Sequence, residues 1–224
     1  MYSTLIGLLG FGFLLGLKHA FDTDHIAAVS AISKNTSIKK SSLSGVFWGL
    51  GHAISLLVIG FIVLLFKIRI PEKLGLSLEL IVGVMLVILG LNVLITVNKN
   101  KAHFHKHKHG KEEHMHFHSH LITEKHGHNH QSFFIGLVHG LAGSAALTLL
   151  ILTTIDSLFA GVTYILIFGI GSIIGMVLVS NLVSLPFRLI SKKLEISHKI
   201  LRLGTSFISI ILGLSIMYKT MLIF

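Results

Sequence analysis

"LKHAFDTDHIAAVSAI", Leu17 to Ile32, sets four ionisable side chains, His19, Asp22, Asp24 and His25, within seven residues. The residues before it, Tyr2 to Gly16, carry no charge, and neither do its own last seven, Ile26 to Ile32. In a membrane helix each such group costs on the order of 3 kcal/mol on insertion scales. How this stretch is read therefore decides both the fold and what the fold is for.

The rest of the chain argues for the membrane. Its 224 residues are 52% hydrophobic and only 12% charged, with a mean hydropathy of +0.82, against roughly 25% charged residues in soluble domains. A crossing helix needs about 20 mostly apolar residues. Six stretches qualify: 3–32, 42–66, 77–97, 132–154, 158–187 and 199–222. The first is longer than a crossing needs, so it is tilted or interrupted. It has no basic leader and runs straight into the ionisable stretch, so it is expected to stay as the first span rather than be removed as a signal. Asn98 to His130 is too polar for the bilayer. The expected fold is an all-α membrane protein in three parts: a three-helix repeat over 1–97, a His-rich, disordered cytoplasmic loop over 98–130, and a second three-helix repeat over 131–224.

The word repeat rests on three matches. "GLKH" at Gly16–His19 recurs as "GLVH" at Gly136–His139, and "WGLGHAI" at Trp48–Ile54 as "FGIGSII" at Phe168–Ile174, both 120 residues on. "ILGL" at Ile88–Leu91 returns at Ile211–Leu214, 123 residues on. With three spans in each half, the second half enters from the opposite side, which is the inverted repeat of many secondary transporters.

Fourteen lysines and arginines fall in the connections between spans 1–2, 3–4 and 5–6, and four at the opposite ends. By the positive-inside rule both termini face out and the polar loop faces the cytoplasm of a multi-pass plasma-membrane protein. The net charge of +10 is thus a topology signal, and no nucleic-acid partner is expected.

No cysteine is present, so any metal must be held by nitrogen and oxygen. A divalent cation would compensate the buried groups of the first span. Imidazole with carboxylate suits nickel(II), cobalt(II), zinc(II) or manganese(II), and the Irving–Williams order favours nickel over cobalt. On a straight helix His19, Asp22 and His25 share an arc of about 120° while Asp24 points elsewhere, and His19 and His25 stand about 9 Å apart along the axis. One ion cannot be wrapped that way. The helix is expected to unwind between Ala20 and Asp24, and other spans to lend ligands. His52 in "GLGHAISLL" and His139 in "GLVHGLAGSAAL" are the intramembrane candidates; each is either a ligand or a polar residue bonded to a backbone carbonyl or to a serine such as Ser55. Around them Gly49, Gly51, Gly140, Ala142, Gly143 and Ala145 suit close helix packing.

"HAFDTDHI", His19 to Ile26, resembles the signature of the nickel/cobalt transporter family, a histidine followed after four residues by Asp-His. "GLGHAISLL" is similar to that family's second motif, with Ala53 and Ile54 where Ser-Thr is usual. "HGLAGSAAL" resembles its six-span branch of urease-accessory or nickel-permease-like membrane proteins. The resemblance implies uptake of nickel or cobalt across the plasma membrane, with His19, Asp24 and His25 indispensable and Asp22 supporting. The sequence departs from larger members in its second half, which offers only His139 and Asp156 near its start.

The loop holds 11 of the 16 histidines, within His103–His130. Such tracts bind metals at many places, and a composition with little to bury predicts disorder. Neutral imidazoles near pH 7 would capture an ion or pass it to a cytoplasmic acceptor, and protonation below about pH 6 would release it.

The expected function is secondary transport of nickel(II) or cobalt(II), the ion being cargo rather than a resident cofactor. There is no GxxxxGK[ST] phosphate loop for ATP. Two other readings remain open: efflux of nickel, cobalt or zinc, and a sensor or assembly factor that binds ions without moving them. Six-span zinc exporters resemble the chain less, since they continue into a soluble domain. Enzyme activity is not expected, because no nucleophile has a base in reach apart from the i,i+3 pair His19 and Asp22.

Overall fold

The computed structural model describes residues 2–33, 37–68, 71–99, 103–109, 112–118, 128–141, 155, 157–190 and 195–223. They form seven helices and one hairpin: α1 (Tyr2–His19), α2 (Thr23–Ile32), α3 (Ile38–Phe66), α4 (Glu72–Lys99), β1 (His103–His109), β2 (Glu112–His118), α5 (His128–Leu141), α6 (Leu158–Leu189) and α7 (Glu195–Ile223).

Four of the helices are long and apolar enough to cross a membrane, over Ile38–Phe66, Glu72–Val97, Leu158–Leu189 and Ile196–Ile223. They cover the second, third, fifth and sixth spans expected from sequence. The first expected span is divided into α1 and α2, and only the opening part of the fourth falls in α5, because 142–154 lie outside the described residues. Local chemistry sets the ends of the long helices. Ser37 caps α3 by accepting from the Lys40 amide, and Ser157 caps α6 by accepting from that of Ala160; each satisfies one of the first-turn donors that a helix leaves unpaired. Lys67 closes α3 in the left-handed region at φ 50°.

The helices pack in a pattern that reads the same from either half. α3 lies against α6, α4 against α7, α1 against α6 and α5 against α3. The glycines make this exact at atomic level. A side chain on Gly16 would meet the Phe168 carbonyl, and one on Gly136 would meet the Trp48 carbonyl. One on Gly171 would meet the carbonyl of Phe13, and one on Gly51 that of Phe133. Every residue in the second contact of each pair differs by 120 from its counterpart in the first. The third helices obey the other offset: Gly90 abuts the Ser206 carbonyl and Gly213 that of Gly83, where 206 and 213 are 123 beyond 83 and 90. Close backbone approach through small residues is how helices associate where lipid removes the hydrophobic drive between them.

Outward faces are apolar, with Phe11, Leu14, Val58, Phe61, Ile88, Leu182 and Ile211 all exposed, as lipid-facing surfaces require. Inside, several polar residues find partners across helices: Ser41 donates to Ser184 at 2.9 Å, Asn181 to Ser42 at 2.9 Å, and Ser209 to the Leu86 carbonyl at 2.8 Å.

The expectation of a disordered loop is corrected over two stretches. β1 and β2 pair antiparallel, His103 opposite His118 through to His109 opposite Glu112. The physical reason lies in the spacing: "HFHKHKH" and "EEHMHFH" alternate with period two, the pattern of a strand, and the two residues between them, Gly110 and Lys111, have the composition of a short hairpin connection.

Candidate metal centre

α1 ends at His19 and α2 begins at Thr23, so the helix is interrupted within the segment where ligand geometry demanded it. The chain turns there through short-range bonds, from the Phe21 amide to the Lys18 carbonyl at 2.9 Å and from the Asp22 amide to that of His19 at 3.0 Å. Asp22 is then extended, at φ −63° and ψ 149°, and its carbonyl accepts the first bond of α2 from Ile26. The turn brings His19, at the end of one helix, and His25, in the first turn of the next, to ring centroids 4.5 Å apart.

Two other helices complete the cluster. α3 supplies His52 from mid-helix and α5 supplies His139 near its described end. His25 and His52 are fully buried and His139 is 1% exposed. His19 Nε2 lies 3.2 Å from His52 Nε2, and His139 Nε2 donates to Asp24 Oδ2 at 2.9 Å. The His25 and His139 rings are 4.0 Å apart. All six residues singled out in the sequence are thus in one neighbourhood, in two tiers of contact. His19, His25 and His52 offer donor atoms within 4.8 Å of one another, and so do Asp24, His25 and His139. Asp22 belongs to neither group. Its Oδ2 accepts from His19 Nδ1 at 2.8 Å, so its part is to orient that ring.

The orientation is chemically useful. A neutral imidazole that donates from Nδ1 keeps its lone pair on Nε2, and His19 Nε2 is the nitrogen that faces His52. A carboxylate behind a ligand histidine is a recurrent outer-shell arrangement that fixes the tautomer and raises the basicity of the ligand. Three buried nitrogens, His25 Nε2, His52 Nδ1 and His139 Nδ1, have no hydrogen-bond partner. Buried polar groups are ordinarily paired; Trp48 Nε1, Tyr164 Oη, Ser172 Oγ, Asn181 Oδ1 and Arg202 Nε are likewise unpartnered, but only the three imidazole nitrogens can offer a lone pair to a cation beside a carboxylate. The donor set, nitrogen with one carboxylate and no sulfur, suits a first-row transition-metal dication.

Sequence reasoning missed the walls. The Trp48 ring lies 6.0 Å from that of His139 and 6.5 Å from that of His25, and Phe168 lies 5.7 Å from His19. Trp48 is the chain's single tryptophan, one helical turn before His52, and Phe168 is its counterpart 120 residues on; that pairing was the available signal.

Comparison with known proteins agrees with a membrane reading. The family model described as "Cytochrome C biogenesis protein transmembrane region" matches residues 12–215. The chain is 39% identical over 216 residues to the urease accessory protein UreH of Bacillus sp. (strain TB-90), covering 96% of this chain and 92% of that protein. It is 29% identical over 168 residues to the Arabidopsis thaliana chloroplast protein FOR GROWTH AND FERTILITY 1, covering 74% of this chain but 46% of that one. With FOR GROWTH AND FERTILITY 2 of the same plant it shares 25% over 207 residues, 92% of this chain and 54% of that one. No solved structure matches it. Among these, UreH is named as an accessory protein and the matching family as a transmembrane region. The chain belongs to the family described as cytochrome c biogenesis protein transmembrane region, as a multi-pass membrane protein similar to UreH.

Proposed function

We propose that the chain is a secondary transporter of the nickel/cobalt kind, taking up nickel(II), with cobalt(II) as a second cargo, across the plasma membrane. The observation that carries this reading is the convergence of four buried histidines and Asp24 from α1, α2, α3 and α5 on a helix break, with three ring nitrogens left unpartnered. Broken helices at the interface of repeats are where such transporters bind their substrates. The similarity to a urease accessory protein points to a nickel-related membrane role. Nothing in a chain without cysteine supports thiol chemistry in its place.

An arriving ion exchanges hydration water for imidazole and carboxylate, and the halves rock about it to open the opposite side. α1–α2 and the segment beginning with α5 serve as the first and fourth spans, which makes six, with the termini outside and the hairpin in the cytoplasm. An inside-negative potential of 100 mV supplies about 4.6 kcal/mol for a dication. The histidine-rich loop takes the ion up and hands it to a cytoplasmic acceptor.

Reconstitution into liposomes with an entrapped nickel-sensitive dye tests this. Under an inside-negative potential the unaltered protein admits nickel, and His19→Ala reduces the rate about a hundredfold, the upper end of what loss of a metal-ordering residue costs. Uptake at the unaltered rate in His19→Ala would overturn the assignment of the site; binding without flux in the unaltered protein would make it a sensor or assembly factor. Lys106→Gly with Met115→Gly, which weakens both strands and removes no histidine, is expected to lower nickel bound by the loop while leaving entry through the bundle intact. Undiminished binding there would remove the role given to the hairpin.

A further inference from the structure

Two of the donors occupy the same place in the two halves. His19 and His139 are 120 residues apart, at the ends of the matching "GLKH" and "GLVH". Each stands beside an aromatic ring of the opposite half, His19 beside Phe168 and His139 beside Trp48, and those rings are also 120 apart. The glycines three residues before the two histidines, Gly16 and Gly136, make the matching backbone contacts.

His25 stands between them, with ring centroids 4.5 Å from His19 and 4.0 Å from His139. His25 is also the one residue common to the two donor groups, His19–His25–His52 and Asp24–His25–His139. The remaining members diverge: among the described residues no group of donor atoms lying within 4.8 Å of one another contains both His52 and His139. A first-row dication binds imidazole nitrogen at about 2.0–2.1 Å, so ligands of one ion sit no more than about 4.2 Å from each other. The cluster is more extended than a single coordination sphere and has its pivot at His25.

We infer that the centre holds two ion positions in succession, one built on His19 and His52, the other on Asp24 and His139, with His25 as the ligand shared in the transfer. This deepens the transport reading and rests on it. Repeats that enter the membrane from opposite sides place His19 and His139 at mirrored depths, so each position faces one side, and an ion changes sides by exchanging two ligands, His19 and His52 for Asp24 and His139, while keeping His25. The positions differ in charge. The first offers imidazoles alone, whereas the second adds the Asp24 carboxylate and holds a dication more tightly.

Nickel(II) titrated calorimetrically into the full chain in detergent, alongside uptake into liposomes, tests the inference on His52→Ala, His139→Ala and His25→Ala, with His52→Gln and His139→Gln as size-conserving controls of folding. Each of the first two variants removes one position. Both are expected to bind one equivalent of nickel within about tenfold of the unaltered affinity, His52→Ala the more tightly because it keeps the Asp24 group, and both to lose flux by about tenfold or more. His25→Ala is expected to lose binding and flux together. If either His52→Ala or His139→Ala loses binding as completely as His25→Ala, with the Gln control agreeing, the ion has a single position and the inference is wrong. Flux retained in either variant overturns it equally. Should the unaltered protein bind nickel without moving it, the transport reading alone fails, and the binding comparison still decides between one position and two.

Discussion

Gly16 against the Phe168 carbonyl and Gly136 against that of Trp48 are one contact made twice, yet the residues that follow these glycines differ. α1 leads into a break with Asp22, Asp24 and His25. The residues 120 positions on are Ala142, Ser144 and Ala145, with no carboxylate or imidazole among them. In mid-helix the first half has His52 and the second Ser172. The packing is duplicated while the ligands are concentrated in the first half, with His139 as the second half's contribution. A scaffold of glycine contacts can be kept symmetric because each contact needs only a small residue. The ligands need no such duplication, and ionisable groups repeated in the second half without a cation to hold would each add their membrane cost.

The strongest way to break this comparison is through the scaffold. Gly16→Leu and Gly136→Leu would each drive a side chain into a backbone carbonyl of the opposite half, where rigid backbone rather than a flexible chain end must yield. Both are expected to destabilise the folded protein by about 3 kcal/mol, the upper range for overpacking, and by similar amounts. Thermal unfolding in detergent measures it. A large loss for one and tolerance of the other would mean that the two contacts are not equivalent.

How much of this could be read from the chain follows from where the determining interactions lie. His19, Asp22, Asp24 and His25 were legible because they are neighbours in sequence, and the break because no straight helix can turn those four toward one point. His52 and His139 were legible only as histidines in apolar surroundings. Their distance from His25 is a property of how α3 and α5 cross it, which no local pattern encodes. The division of labour between Asp22, which orients His19, and Asp24, which joins a donor group, turns on side-chain directions that follow from the turn at Ala20–Asp22. Trp48 and Phe168 gave no signal of their own, since an aromatic residue in an apolar run is ordinary core. The hairpin was misread for a different reason. Composition argued for disorder, while the alternation of histidine with phenylalanine, lysine and methionine had the period of a strand.

That division of labour gives the second prediction, which sharpens the contrast within the first half. Asp22→Asn keeps the size of the side chain and an acceptor for His19 Nδ1 but removes the charge behind the ring. Loss of such an outer-shell partner costs about 10–100-fold in metal affinity, and nickel titration should show a decrease in that range with the number of ions bound unchanged. An unaltered affinity would mean that the 2.8 Å contact only ties the turn together, and the asymmetry between the halves would then rest on Asp24 and His25 alone.

The smallest expected effect lies at Ser172, where the second half has a hydroxyl in place of the imidazole of His52. Ser172 is fully buried and its Oγ has no hydrogen-bond partner. Removing a buried hydroxyl that makes no bond relieves a desolvation cost rather than losing an interaction, so Ser172→Ala should leave stability unchanged or raise it by less than about 1 kcal/mol, and leave nickel affinity where it was. The opposite exchange, His52→Ser, copies the second half's residue into the first and takes a donor from the His19–His25–His52 group. If the halves differ as described, exchanging one residue for its repeat counterpart matters in one direction only, because the ligand lies on one side of the pseudo-symmetry. A tenfold weakening of nickel binding in Ser172→Ala would make that hydroxyl a donor to the ion, and the second half would then contribute a second ligand beside His139.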